Sequence, residues 1–117
     1  MSAETPAEFA VHTDLVDGAY VVTPSGELDL GTVGELRELI AARPAGCRRL
    51  VLDLSRLTFF DTSGMRLVIE TMHEAGAGRT SLALVRGPED VQRLFALAHV
   101  EDRLPFFDDR RAAIGHA

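Results

Sequence analysis

Residues 9–16 alternate weakly between apolar and polar positions, residues 19–24 form a β-branched and aromatic run, and Asp17-Gly18 lies between them. Two such runs joined by an Asp-Gly pair predict an antiparallel hairpin. Gly26-Glu27-Leu28-Asp29 ends the second strand. Over residues 32–42, Val33, Leu36, Leu39 and Ile40 recur at helical spacing, with Pro44 and Gly46 just beyond as stop signals. Leu50-Val51-Leu52-Asp53-Leu54 is almost continuously apolar, which predicts a central strand covered on both faces. Asp61-Thr62-Ser63 then offers three possible N-caps for a helix with Met65, Val68, Met72 and Ala75 on one face, ending near Gly76 or Gly78. Residues 80–85 read as a strand, and Pro88 starts a helix whose apolar face is Val91, Leu94, Phe95 and Ala98. Leu104-Pro105-Phe106 is briefly extended, and a last helix runs from Asp109 to about Ile114. Strands alternating with helices predict an α/β fold with parallel pairing through crossover helices and the hairpin as an antiparallel edge.

Composition narrows the classes. The 117 residues fit one domain able to bury a core unaided, expected over residues 9–117 behind a flexible N-terminus at residues 1–8. Twelve basic against eighteen acidic residues give a net charge of -6, which disfavours nucleic acid and anionic lipid as direct partners. Cys47 stands alone in a turn-like stretch and matches no metal-ligand spacing, so a reducing cytoplasm is the expected setting. No basic leader precedes Phe9, and no segment approaches the roughly 18 apolar residues of a membrane span.

Candidate chemistry concentrates between the central strand and the helix that begins at Asp61-Thr62-Ser63-Gly64. Ligand sites in open α/β sheets lie at the carboxyl ends of strands. The first-turn amides of a helix lack intrahelical acceptors and favour negative charge, so a phosphate on Ser63 could be held there, with Gly64 allowing close approach of a ligand or partner backbone. The plainer alternative, and the commoner arrangement, is that Asp61 or Thr62 simply caps the helix. Asp29 ends a strand that a right-handed crossover can bring beside Ser63; it is equally readable as a cap for the helix near Thr32. A serine hydrolase is disfavoured. No Gly-x-Ser-x-Gly elbow surrounds Ser63, His73 lies roughly 15 Å further along an ideal helix, and His12, His99 and His116 are scattered, the first two reading as solvated or helix-end residues. There is no phosphate-binding loop and no lysine, so neither intrinsic nucleotide hydrolysis nor a cofactor is expected.

Gly26-Glu27-Leu28-Asp29, Leu50-Val51-Leu52-Asp53-Leu54 and Phe60-Asp61-Thr62-Ser63-Gly64-Met65, in that order and spacing, resemble the STAS domain of bacterial anti-sigma factor antagonists. Val91-Gln92-Arg93-Leu94-Phe95-Ala96-Leu97 with Val100, Leu104 and Pro105 resembles that family's third helix and final strand, extending the similarity over residues 9–107. The resemblance implies a mixed sheet of about four or five strands with about four helices. It implies a non-enzymatic regulator whose unmodified form captures an anti-sigma factor, a serine kinase resembling histidine-kinase-type ATPases, and frees a sigma factor. It also implies phosphorylation of Ser63, with a serine phosphatase to reverse it. Ser63 stands at the family's phosphoacceptor position, and Asp29, Asp61, Thr62, Ser63, Gly64 and Met65 make up the expected partner-binding set. Met65, Val68 and Leu28 are the apolar residues considered for the docking surface. Met65 replaces a usual aliphatic residue, and His99 stands where glycine is frequent, which makes the end of the third helix the point of departure. Rival readings are a STAS scaffold or transporter-associated module without a phosphate cycle, and the disfavoured hydrolase.

Overall fold

A computed structural model describes residues 8–78 and 80–115. Arg79 and residues 1–7 and 116–117, with His116 and most of the expected flexible N-terminus, lie outside the described residues. The hairpin forms as predicted: β1 (Ala10–Val16) pairs antiparallel with β2 (Ala19–Leu28). Asp17 and Gly18 take φ of 51° and 82°, the pair of positive values a tight two-residue turn requires. After α1 (Val33–Ala41), β3 (Arg49–Asp53) runs parallel to β2 and lies between it and β5 (Ser81–Val85), the central position anticipated for the apolar run. Beyond β5 comes the two-residue edge strand β6 (Phe106–Phe107).

Among the described residues the sheet has six strands rather than four or five. The additional one is β4 (Leu57–Phe60), which leaves the main sheet and pairs in parallel only with the carboxyl half of β2, Leu28 opposite Phe60. On the edge away from β1, ten-residue β2 therefore serves two further neighbours, β3 through residues 19–22 and β4 through residues 26–28, with a register shift between Gly26 and Glu27.

Strand alternation sends different residues to the two faces. Tyr20, Val22, Leu50, Leu52, Leu82 and Leu84 pack with Leu36 and Ile40 of α1, Leu67 and Val68 of α2 (Thr62–Ala77), and Val91 and Phe95 of α3 (Glu89–Leu97). Each fully buried leucine or phenylalanine there contributes about 1.5–3 kcal/mol. The other face carries smaller side chains, Ala19, Val21, Val51, Ala83 and Val85, against Ala113 of α4 (Arg110–Gly115). His99 accommodates the departure from glycine by adopting φ of 60° just past α3. The amides of His99 and Val100 then bond the carbonyls of Ala96 and Phe95, closing α3 with a Schellman motif that histidine tolerates at its left-handed position.

Candidate functional site

The parallel β2–β4 pair brings two chain ends together. Leu28 and Phe60 are in register, and the Asp61 amide donates to the Leu28 carbonyl at 3.3 Å, so Asp29 and Asp61 leave the sheet as neighbours. Each carboxylate organises its own exit. Asp61, extended at φ −125° and ψ −170°, is the N-cap of α2, its Oδ1 accepting from the Ser63 amide at 2.8 Å. Of the three sequence candidates, the cap is therefore Asp61. Asp29 Oδ1 accepts from the amides of Gly31 and Thr32 at 2.9 and 3.1 Å. Thr32 Oγ1 accepts from the Asp29 amide at 2.9 Å and donates to the Glu27 carbonyl at 2.8 Å. Asp29 thus holds the turn entering α1 while Thr32, not Asp29, occupies the N-cap position, and the Asp29 backbone leaves the sheet beside Asp61.

Thr62 is exposed and Ser63 half-buried in the first turn of α2. Among the described residues no side chain hydrogen-bonds the Ser63 hydroxyl, whereas its amide is held by Asp61. Two residues of the expected partner-binding set lie beneath this surface instead of on it. Met65 is 7% exposed and belongs to the core. Gly64 is buried, and a Cβ there would stand 2.6 Å from Phe60 Cε1 and 2.9 Å from Leu28 Cδ2. The glycine lets α2 pack onto the β2–β4 pair and offers no approach for a partner backbone. Leu28 and Val68 are likewise fully buried. The apolar surface at the site belongs to Leu30, 80% exposed directly after Asp29, and Phe59, 48% exposed in β4 opposite Glu27. Their signal was local: β2 stops at Leu28, so Leu30 loses the inward direction that alternation would give it.

His12, His73 and His99 are all exposed. Among the described residues no helix is long and apolar enough to cross a membrane, and no cluster of three or more histidine, cysteine or acidic side chains could hold a metal ion.

Comparison with known proteins agrees with this architecture. Residues 10–113 match the STAS domain family model. The anti-sigma-B factor antagonist of Staphylococcus aureus is 28% identical over 93 residues, covering 79% of this chain and 86% of that protein. The crystal structure of an anti-sigma factor antagonist from Mycobacterium paratuberculosis superposes with a TM-score of 0.83 at 25% identity, over 94% of this chain and 96% of that one. The anti-sigma factor antagonist SpoIIAA in its unphosphorylated form shares the fold with a TM-score of 0.72 at 24% identity, over 88% and 92% of the two chains.

Proposed function

The chain belongs to the STAS domain family, and from that premise we propose that it is an anti-sigma factor antagonist switched by phosphorylation of Ser63. In this reading the unphosphorylated form docks on an anti-sigma factor with serine kinase activity, of the histidine-kinase-like ATPase type, and so releases a sigma factor. The kinase then phosphorylates Ser63 and the complex separates, and a serine phosphatase resets the cycle. The chain is substrate and ligand, not catalyst, in a cytoplasmic regulatory circuit.

The single observation that carries the reading is the unengaged Ser63 hydroxyl on the first turn of α2, two residues after the capping Asp61, with Leu30 exposed just after Asp29 and Phe59 exposed in β4. An exposed leucine and phenylalanine bordered by Asp29 and Asp61 supply an apolar contact with a polar rim, the usual composition of a protein docking surface. A phosphate adds about −1.5 to −2 charges. The α2 amides and dipole tolerate that charge in the free domain. A partner closing over it must desolvate it next to the Asp61 carboxylate, which weakens the complex without unfolding the domain.

The test is to incubate the protein with its cognate anti-sigma kinase and ATP, map the modified residue by fragment mass spectrometry, and titrate both forms against the kinase by calorimetry. The expected result is one phosphate, on Ser63, and loss of binding. A phosphate on Thr62, or equal affinity of the two folded forms, would sink the mechanism.

A further inference from the structure

We propose that α4 is a docked control element, latched to the sheet by an ion pair to a buried carboxylate that also holds the turn leading to the Ser63 segment, so that releasing α4 loosens that turn. The latch is Asp53, 4% exposed at the carboxyl end of the central strand. Its Oδ2 accepts from Nε and Nη2 of Arg110 at 3.1 and 2.9 Å. Nη2 of Arg110 also donates to the hydroxyl of Thr23, itself buried, at 2.9 Å. Through its other oxygen, Oδ1, Asp53 accepts from the amide and the hydroxyl of Ser55 at 3.0 and 2.6 Å. One carboxylate therefore joins two elements, α4 through Oδ2 and the β3–β4 turn through Oδ1.

The helix depends on this latch. Six residues are too few for a helix to persist without tertiary support. Ala113 is its fully buried side chain, a single methyl group against the small residues Ala19, Val21, Val51, Ala83 and Val85. The Arg49 guanidinium adds one bond to the Ala113 carbonyl at 3.3 Å. Ile114 is partly buried against the same cluster, and the ion pair of Arg110 adds a polar attachment to this modest apolar contact.

The turn depends on the latch as well. When Arg110 leaves, the Asp53 carboxylate is buried without its counter-charge and must reach water. The adjacent route is the turn itself, because Ser55 and Arg56 are already exposed. Opening there strains the two bonds that fix the start of β4, Leu57 amide to Leu54 carbonyl and Gly26 amide to Arg56 carbonyl, both 3.2 Å. β4 runs from this point to Phe60, next to the Asp61 cap. The small-residue sheet face under α4 thus communicates with the opposite face, where Ser63 lies, by one identifiable side chain. A ligand or partner that displaced α4 would act on the Ser63 segment without touching it.

The coupling is tested on the chain alone, by amide hydrogen exchange followed by NMR in the native protein, Arg110→Ala and Arg110→Lys. Arg110→Ala is expected to accelerate exchange at least tenfold both in α4 and at Ser55, Leu57 and Gly26, while Leu52 and Leu84 in the central strands keep their protection. Arg110→Lys keeps the charge but loses the two-pronged contact, and is expected to give the same pattern at smaller amplitude. Acceleration confined to α4, with the three turn amides unchanged, would overturn the coupling. Should Arg110→Ala lose protection throughout, Arg110→Lys decides alone, and unchanged turn amides in that variant would refute the proposal.

Discussion

The chain contains two copies of one local device with different fates: Asp53-Leu54-Ser55 at the end of β3 and Asp61-Thr62-Ser63 at the end of β4. In both, the aspartate accepts from the amide two residues on, at 3.0 Å in the first and 2.8 Å in the second. The difference lies in what else the carboxylate and the serine do. Ser55 donates its hydroxyl to Asp53 at 2.6 Å, and Asp53 is buried against Arg110. The Ser63 hydroxyl has no such bond among the described residues, and Asp61 is half-buried with no ion-pair partner among them. The same three-residue geometry is thus a structural clamp where it is sealed by an arginine. Where it opens a helix, it presents a serine, and a phosphate on Ser55 would lie beside a buried carboxylate whereas one on Ser63 meets a helix N-terminus.

The sharpest way to break this comparison is the same substitution in both copies. Asp53→Ala removes the ion pair and both turn bonds and leaves Arg110 and Thr23 to find other partners. A loss of about 2–4 kcal/mol is expected, toward the lower part of the range for buried pairs because the Arg110 side chain is 41% exposed. Asp61→Ala removes one N-cap bond and is expected to cost about 1 kcal/mol. Urea unfolding of the two variants under identical conditions measures both, and equal losses would mean that the two aspartates do the same job.

Much of this was legible in local sequence. The Asp17-Gly18 turn, the central position of Leu50-Val51-Leu52, and the capped helix start after Phe60 each follow from residue types at fixed spacing. What escaped depends on where strands stop and what the rest of the chain covers. β4 is four residues long with Thr58 and Phe59 both exposed, so it carries no clean alternation, and the strand it pairs with is the far half of β2. Met65, Val68 and Leu28 looked available because sequence gives a helix or strand its apolar residues but not the wall they face; Leu30 and Phe59 are outward for the converse reason. The Asp53–Arg110 pair spans 57 positions, beyond the reach of any motif.

The second test exploits the residue that follows each serine. Arg56 after Ser55 is exposed, whereas Gly64 after Ser63 is pressed against Phe60 and Leu28. Gly64→Ala adds a methyl group where the aromatic ring of Phe60 and the Leu28 side chain already stand. Overpacking of about 1–3 kcal/mol is offset in part by the roughly 1 kcal/mol that alanine gains over glycine within a helix. A net loss of up to about 2 kcal/mol is expected by chemical unfolding, together with a shift in the Phe60 ring resonances by NMR. A stabilised Gly64→Ala protein would show that α2 can rise off the β2–β4 pair, and that the first turn is not fixed from below.

The smallest effect on stability belongs to the serines themselves, and there the comparison bears directly on function. Ser55→Ala removes a charge-assisted bond to a buried carboxylate that keeps its other partners, so a loss of about 1 kcal/mol is expected. Ser63→Ala removes a hydroxyl with no hydrogen-bonding partner among the described residues, and its unfolding free energy is expected to stay within about 0.5 kcal/mol of the native value. Their functional consequences run in the opposite order. With the anti-sigma kinase and ATP, Ser55→Ala should still acquire one phosphate, while Ser63→Ala should acquire none and retain native affinity for the kinase. Phosphorylation of the native chain should lower that affinity by about a hundredfold, equivalent to about 3 kcal/mol, enough to dissociate a micromolar complex. Intact-mass analysis and calorimetry on the four species separate the two serines. Phosphate appearing on Ser63→Ala at Ser55 would mean that an unengaged hydroxyl at a helix start is not what the kinase selects, and the distinction between clamp and acceptor would fall; phosphate at Thr62, exposed at the same helix start, would move the acceptor by one residue.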